Sequence, residues 1–157
     1  MNANNELRVG VISDTHGLFR PEAREFLVGC DYIIHGGDVG RAQILDELAL
    51  MAPLISVRGN NDTEPWAARL RETELIRVGN IFVYVIHNIA ELHIDPAAAG
   101  VRVVISGHSH KPQIEERDGI LYVNPGSCGP RRFKLPISAG EISVSGSAVR
   151  ARIVTLG

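Results

Sequence analysis

Short apolar segments rich in Val and Ile alternate with stretches of helical periodicity along the first two thirds of the chain. Apolar runs of about four to eight residues, bounded by Gly, Pro or Asp, are typical of buried strands. Five strands are predicted on this basis: Leu7–Ile12, Tyr32–His35, Leu54–Val57, Ile81–Ile86 and Val101–Ile105. The predicted helices are Pro21–Val28, Gln43–Met51, Pro65–Arg71 with Thr63 as its cap, and a short one at Pro96–Ala99. Repeated strand–helix units of this kind build parallel sheets.

The last third of the chain has a different pattern, in which apolar segments flank Gly-containing dipeptides typical of tight hairpins. Two hairpins are predicted: Ile114–Arg117 with Ile120–Val123 around Asp118-Gly119, and Ile142–Val144 with Val149–Val154 around Gly146-Ser147. Strand–helix units followed by antiparallel hairpins predict an α/β fold, in which two sheets pack face to face with helices outside. Because nothing resembling a linker interrupts residues 1–157, we expect a single domain.

Polar side chains that can bind metal follow each of the five predicted strands. They recur at intervals of a little over twenty residues, about the length of one strand–helix unit. The five sites are Asp14-Thr15-His16, Gly37-Asp38, Gly59-Asn60-Asn61-Asp62, His87 and Gly107-His108-Ser109-His110. Because ligands bind at the carboxyl ends of parallel strands, we expect these side chains to meet at one edge of a sheet.

The donor set at these sites, two Asp, one Asn and four His, is suited to two divalent metal ions. Asp38 follows two glycines and is the expected bridging ligand, because a carboxylate offsets the repulsion between two cations. Alternate residues of an extended segment point the same way, so Asp14 and His16 can share one ion. The other candidate ligands are Asn60, His87, His108 and His110. Oxygen and nitrogen donors without thiolate favour Mn, Fe, Ni, Co or Zn over Mg or Ca.

Composition and charge narrow the possible partners. The chain has 157 residues, a formal net charge of −2 and two cysteines far apart in sequence. This charge gives no basis for binding a nucleic-acid backbone, and the apolar runs are too short to span a membrane. The polar start of the chain does not resemble a signal peptide, and disulfide bonds are not expected, so we expect a cytoplasmic protein.

Taken in order, the motifs D-x-H, G-D, G-N-x-D, H and G-H-x-H resemble those of the calcineurin-like metallophosphoesterase superfamily. Asn124-Pro125-Gly126-Ser127 resembles a further signature of its small, single-domain bacterial and archaeal phosphodiesterase branch. The resemblance spans Val9 to about Arg131. It implies a four-layer αββα sandwich. It also implies an enzyme that hydrolyses phosphodiesters with a hydroxide that bridges two metal ions, and manganese is the metal that we expect first.

The same resemblance implies a division of the ligands between the two ions. One ion would be held by Asp14, His16, Asp38 and His110, and the second by Asp38, Asn60, His87 and His108. Arg131 matches a basic position that contacts phosphate, although a surface ion pair is an equal alternative. Asp62 matches an acidic residue that orients a metal ligand, and it is counted with Asp38 and Asn61 among the catalytic candidates.

Two positions depart from the family pattern. Many members carry His directly after the metal-binding Asn, where it contacts substrate and protonates the leaving group, but this chain has Asn61. An amide can donate a hydrogen bond to a phosphoryl oxygen but cannot deliver a proton. His87 is followed by Asn88, where the family usually has Gly, and a side chain there can crowd the second ion.

The sequence leaves two other functions open. One is a non-catalytic scaffold that kept the fold, as in the retromer subunit of similar fold, and the other is a phosphomonoesterase. Intact metal ligands argue against the scaffold, while Asn61 argues for it. The expected partner is a small phosphorylated substrate, and the family resemblance alone suggests a homodimer.

Overall fold

The computed structural model describes residues 6–157, which form two five-stranded sheets and two α-helices. The strands are β1 Glu6–Ile12, β2 Tyr32–His35, β3 Leu54–Ser56, β4 Thr73–Val78, β5 Ile81–Ile86, β6 Val101–Ile105, β7 Gln113–Arg117, β8 Ile120–Asn124, β9 Ser138–Ser145 and β10 Ala148–Thr155. The helices are α1 Pro21–Leu27 and α2 Ala42–Met51, with 3-10 turns at Pro65–Arg69 and Ile89–Glu91.

Both sheets are mixed, and each has a parallel centre. The first has the order β10-β9-β1-β2-β3, in which β1, β2 and β3 are parallel and the β9–β10 hairpin adds antiparallel strands. The second has the order β4-β5-β6-β8-β7, in which β5, β6 and β8 are parallel and β4 and β7 are antiparallel edges. The parallel centres carry the strand ends at which the candidate ligands lie.

The main core lies between the two sheets. Val9 and Val11 of β1 pack there with valines and isoleucines of the second sheet, such as Val83 and Ile105. Successive side chains of a strand alternate between its faces, so the other residues of β1 face the helices. Gly10 is one of these, and a methyl group at that position would overlap Leu27 of α1. The absence of a side chain therefore lets α1 lie close against the sheet.

The outer layers of the sandwich differ from each other. Leu27 of α1 and Leu48 of α2 pack on the outer face of the first sheet, to which Ile33 of β2 belongs. On the second sheet, a smaller cluster around Val104 is covered by the 88–100 segment through Ile94. That segment contains a 3-10 turn, a bend and a hydrogen-bonded turn, but no α-helix. The predicted sandwich of two sheets is thus confirmed, with its α-helices on one side.

Three sequence predictions about elements need correction. Pro65–Arg71 is a 3-10 helix over Pro65–Arg69, and its N-cap is Glu64 rather than Thr63. Pro96–Ala99 is a turn, since four residues are too few for a helix without packing. Strand β4 was not predicted, because its apolar residues form neither a continuous run nor a regular alternation.

Candidate metal centre

The candidate ligands lie at one end of the sandwich, where the parallel strands of both sheets finish. Asp14 and His16 follow β1, Asp38 follows β2, and His87 follows β5. Two contacts join the sheets there: the His108 backbone N–H donates to Asp14 Oδ2 at 3.1 Å, and His87 Nδ1 lies 2.7 Å from the Gly36 carbonyl oxygen. The sheets therefore build this region together.

Three side chains converge on one point at the β1 side. Asp14 Oδ1 lies 3.4 Å from His110 Nε2 and 3.6 Å from His16 Nε2. The two Nε2 atoms are 3.3 Å apart. Asp14 Oδ1 is buried and accepts no hydrogen bond. Three donor atoms directed at one point, one of them an unpartnered buried oxygen, have the chemistry of a metal site.

A second group shares Asp14 with the first. Asp38 Oδ2 lies 3.2 Å from His87 Nε2, which makes no hydrogen bond in that geometry, and Asp14 Oδ1 lies 4.0 Å from the same nitrogen. Asp38 Oδ2 is also 3.7 Å from His16 Nε2 of the first group. The Asp38 carboxylate, a member of the second group, thus also lies near a nitrogen of the first, as expected of a bridging ligand. The second group comprises Asp14, Asp38 and His87.

Asn60 and His108 lie on the solvent side of the second group. His108 Nδ1 is 3.1 Å from Asn60 Oδ1, and the rings of His87 and His108 meet edge to face with centroids 5.2 Å apart. Both residues are exposed, whereas Asp14, Asp38 and His87 are buried. The structure brings Asn60 and His108 to the mouth of the site, and their role as ligands stays a prediction.

Backbone strain is concentrated on these residues. A positive φ in a residue other than glycine is uncommon and costs of order 1–3 kcal/mol. Five of the seven predicted ligands have such a φ: Asp14 (58°), His16 (45°), Asp38 (59°), His108 (70°) and His110 (64°). In residues 6–157, only Asp118 and Phe133 share this conformation among the other non-glycine residues. The fold holds these residues in strained conformations that direct their side chains to one place.

Glycines let the strand ends approach closely. Gly37 has a φ of 103°, and a Cβ there would lie 2.6 Å from His87 Nδ1. A Cβ at Gly59 would overlap the Asp38 carboxylate. Any side chain at either position would displace a candidate ligand, so the glycines before Asp38 and Asn60 both have a steric role, and Gly37 has a conformational one as well.

Asp62 and Asn61 hold the loop that carries Asp38. The Asp62 carboxylate accepts backbone N–H groups from Val39 and Gly40 at 3.1 Å and from Gly59 at 2.9 Å, which joins the loops after β2 and β3. Asn61 donates to Asp38 from its backbone N–H at 2.8 Å and from its side-chain amide at 3.2 Å. Asp62 therefore positions Asp38 through the backbone.

Comparison with known proteins decides the family. Residues 7–147 match the calcineurin-like phosphoesterase superfamily domain. The chain belongs to this superfamily. A probable metallophosphoesterase of Methanothermobacter thermautotrophicus is 36% identical over 95% of this chain and 92% of its own. Two proteins of Methanocaldococcus jannaschii are also similar: a probable metallophosphoesterase is 38% identical over 76% of this chain and 67% of its own, and a phosphodiesterase is 28% identical over 78% and 84%.

Solved structures confirm the fold of this metallophosphoesterase family member. A structure described as that of a novel archaeal phosphodiesterase has a TM-score of 0.78 at 23% identity, over 94% of this chain and all of that one. Vacuolar protein sorting 29 of Cryptosporidium parvum has a TM-score of 0.83 at 19% identity, over 97% and 92%. The resemblance inferred from the sequence motifs is thus confirmed.

Two buried histidines of this family member have fixed roles. The Gly36 carbonyl can only accept, so His87 Nδ1 carries a proton and Nε2 points toward the two carboxylates. His35 is not a ligand: Nε2 lies 3.0 Å from the Thr15 hydroxyl, which donates to the Val39 carbonyl, and Nδ1 accepts from the Gly37 N–H. Burial lowers the pKa of His35 to about 4, so it is neutral.

The two carboxylates of the metallophosphoesterase centre stay ionised. Burial raises the pKa of Asp14, but contacts with His110, His16 and Ser13 outweigh it and hold that pKa well below its usual range. Burial likewise raises the pKa of Asp38, but His87 and the Asn61 N–H lower it overall. Burial lowers the pKa of His87, and Asp38 and Asp14 raise it overall. Buried negative charge beside unpartnered donor atoms fits divalent cations.

Sequence reasoning missed three residues that support the ligands. Ser13 donates to Asp14 Oδ2 at 2.6 Å, and Ser127 donates to the Asp14 carbonyl at 3.0 Å. Asn124 donates to the Gly107 carbonyl at 2.9 Å, which fastens the loop that carries His108 and His110. The available signal was the Asn124-Pro125-Gly126-Ser127 motif. It begins at the end of β8, and because β8 is parallel to β6, the motif lies beside the loop that follows β6.

Arg131 lies on the surface and uses its guanidinium within the chain. Its nitrogens donate to the carbonyls of Leu135 at 3.2 Å and Gly157 at 3.0 Å. Its predicted contact with substrate stays a prediction. Within residues 6–157, none of the helices combines the length and apolar character needed to cross a membrane.

Proposed function

We propose that this chain is a metal-dependent phosphoesterase that hydrolyses phosphodiesters of small molecules with two divalent cations. The observation that carries the proposal is the pair of overlapping donor groups that share Asp14, with Asp38 Oδ2 between them. The relative named a phosphodiesterase supports the choice of a diester. Manganese suits this set of carboxylates and imidazoles, and Fe, Ni, Co and Zn are alternatives.

The chain's own residues would hold and orient the ions. Asp14, His16 and His110 would bind one ion, His87 would bind the other with Asn60 and His108, and Asp38 would contact both. Two such cations, when bound, lower the pKa of water and neutralise charge on a phosphate. Asn61 would keep the Asp38 carboxylate in its orientation, and the Gly36 carbonyl would keep the His87 Nε2 lone pair directed into the site.

The leaving group would depart without a proton from Asn61. The Asn61 amide is engaged with Asp38 and cannot act as an acid. A general acid is typically worth about 10²–10⁴ in rate, so aryl diesters should be cleaved far faster than alkyl diesters. The measurement is a plot of kcat against leaving-group pKa. Equal rates for aryl and alkyl diesters, with chemistry rate-limiting, would mean that another residue donates the proton.

A metal reconstitution assay tests the function. Protein stripped with chelator and reloaded with Mn²⁺ is assayed with bis(p-nitrophenyl) phosphate and with p-nitrophenyl phosphate. We expect two ions per chain, activity only after reloading, and kcat/KM at least about tenfold higher for the diester. A preference for the monoester would identify a phosphomonoesterase instead.

A non-catalytic scaffold is the second candidate, and the lack of a proton donor at Asn61 is the observation that favours it. Two bound metals without hydrolysis of either ester would support the scaffold and reject the enzyme. The homodimer expected from the family stays a prediction, and light scattering of the purified protein checks it.

A further inference from the structure

Two cavities lie beside the outer residues of the metal centre, and both border Asn88. The larger, of about 520 Å³, is lined by Asn60 and His87 together with Tyr84. The smaller, of about 290 Å³, is lined by His108 together with Tyr122. Pockets that bind organic ligands are usually of this size. A phosphodiester carries two organic substituents on one phosphate, so two cavities beside one centre match its shape.

Asn88 is the wall between the cavities, since it lines both. It directly follows His87, and its side-chain oxygen accepts the Ala90 N–H at 3.0 Å, which caps the 3-10 turn Ile89–Glu91. The side chain is half-buried and held in place by this bond. Substituents on the two sides of the phosphate are therefore kept apart by a fixed group.

The two tyrosines occupy equivalent positions on the sheet. Tyr84 of β5 and Tyr122 of β8 are the register partners of Val104 on its two sides, so they share one face and stand about 10 Å apart. Both are half-buried and pack against the same small cluster. One ring therefore belongs to each cavity.

The rings differ in what covers them. The Arg117 guanidinium lies over the Tyr122 ring, 4.2 Å from its centroid. No aromatic or cationic side chain among residues 6–157 stacks on Tyr84. The Tyr84 ring lines the larger cavity without such a partner, while the Tyr122 ring in the smaller cavity is already covered by Arg117.

Apart from Ile86, most of the remaining lining of the larger cavity is polar, with charged groups of both signs. Arg58 pairs with Glu72 at 3.0 Å, and Glu91 and His93 complete the rim. Carboxylates beside cationic groups disfavour a second phosphate or a hydrocarbon chain, because both would lose hydration without a matching partner. They can bind the hydroxyl groups of a sugar.

We infer that the larger cavity is a subsite for a nucleoside-type substituent, which stacks its base on Tyr84, and that Asn88 separates it from a subsite for a short alcohol substituent beside His108. This inference rests on the proposed phosphodiesterase function and extends it to the substrate. Base stacking on an aromatic side chain tolerates any base. The substrate class is thus a diester that joins a nucleotide to a small alcohol.

The test compares two esters with the same leaving group, p-nitrophenyl thymidine 5′-phosphate and methyl p-nitrophenyl phosphate. We expect Tyr84→Leu to lower the ratio of their kcat/KM values about tenfold, since stacking on the larger ester is lost. Tyr122→Leu is the matched control and should leave the ratio within about twofold of wild type. Tyr84→Phe keeps the ring and should keep the ratio. Equal ratios in both Leu variants would overturn the inference.

Binding of thymidine 5′-monophosphate to the metal-loaded protein, measured by calorimetry, separates the inference from the proposed function. Weaker binding in Tyr84→Leu alone supports the subsite even if no ester is cleaved, in which case only the phosphodiesterase proposal fails. Hydrolysis of both esters with unchanged binding in Tyr84→Leu rejects the subsite alone. His93→Ala, at an exposed rim position, replaces Tyr84→Leu if that variant does not fold, and an unchanged ratio there also rejects the subsite.

Discussion

At the scale of single residues, Asp38 is the position that distinguishes a two-metal centre from two separate sites. Its Oδ2 atom is within 3.7 Å of nitrogens from both donor groups. We expect Asp38→Asn to lower metal content from two ions toward one or none, because an amide offers one neutral oxygen in place of a shared charge. Elemental analysis measures this, with Asp46→Asn on the exposed face of α2 as control. A variant that retains two ions per chain and normal turnover would refute the bridging role.

The same substitution should leave the metal-free protein folded. Asp14 and Asp38 are like charges in one buried site, and the Asp14 charge raises the Asp38 pKa. Asp38→Asn removes this repulsion together with the attraction to His87, which lowers the Asp38 pKa, and it keeps the size of the side chain. The gain in Tm that metal gives wild type, by binding only the folded state, should shrink in the variant.

Asp62 acts on the centre through three backbone N–H groups, and its substitution should have a graded effect. Asp62→Ala leaves the N–H groups of Val39, Gly40 and Gly59 without their acceptor, so the Asp38 loop loosens. Substitutions of groups that orient metal ligands typically cost about 10–100-fold in metal affinity or activity. We expect a loss of that order in metal affinity by titration calorimetry, with KM for substrate little changed in metal-saturated protein.

The neighbouring control is Thr63→Ala. Thr63 is exposed and caps no helix in this structure, so neither metal affinity nor Tm should change measurably. An Asp62→Ala variant that binds metal as tightly as Thr63→Ala would show that the loop keeps its shape without the carboxylate.

At the scale of elements, the parts of the fold that follow from the sequence are those in which local pattern and burial agree. Strands β1, β2, β5 and β6 are apolar at most positions because most of their residues are covered, and the hairpin turns carry Gly at positive φ, as at Gly119 and Gly146. Strand β4 is an edge strand with few buried residues, and its apolar residues form neither a continuous run nor a regular alternation.

The candidate site, like the fold, could be predicted from the sequence only in part. The predicted ligands could be found because Asp and His after buried strands have no packing role there. The Asn124-Pro125-Gly126-Ser127 motif marked Asn124 and Ser127 but not their partners, which are backbone carbonyls that only the folded sheets bring near. The role of Ser13 could not be predicted, although its partner Asp14 is the next residue. A serine after a strand gives the same sequence signal whether it ends in solvent or supports a ligand.

The N-terminus of helix α2 lacks a capping side chain, so a substitution there can stabilise the protein. Its N-cap is Arg41, whose side chain accepts no N–H, and its first turn has no acidic residue. Arg41→Ser would place an oxygen near the free N–H groups and remove a positive charge from the helix N-terminus. We expect a gain of about 0.5–2 kcal/mol in the free energy of unfolding, measured with urea on metal-free protein. Gln43→Ser, at the second residue of the helix, should give no gain. Equal effects of both substitutions would reject capping as the cause.

At the scale of the whole molecule, a charged cluster joins the two ends of the chain on the first sheet. Glu141 of β9 pairs with Arg8 of β1 and with Arg152 of β10, the latter at 2.7 Å. Arg8 also donates to the carbonyls of Phe26 at 2.7 Å and Val28 at 3.0 Å, at the end of α1. The Glu141 side chain is only 13% exposed, so this cluster is less screened than the surface pairs.

This cluster predicts a specific dependence of stability on pH. The hydrogen bond from Arg152 lowers the pKa of Glu141, which outweighs the effect of burial, and Arg8 lowers it further. A carboxyl whose pKa is lower in the folded state than in the unfolded state stabilises the protein above its unfolded pKa. That contribution is lost as pH falls from about 4.5 through the pKa of Glu141 in the folded state.

Glu141→Gln should therefore cost about 1–3 kcal/mol at pH 7 in metal-free protein and progressively less below about pH 4.5. Glu6→Gln is the control, because its pair with Arg150 is largely exposed and should contribute little at any pH. A cost of Glu141→Gln that is the same at pH 7 and pH 3 would mean that the side chain stabilises the sheet by packing and not by its charge.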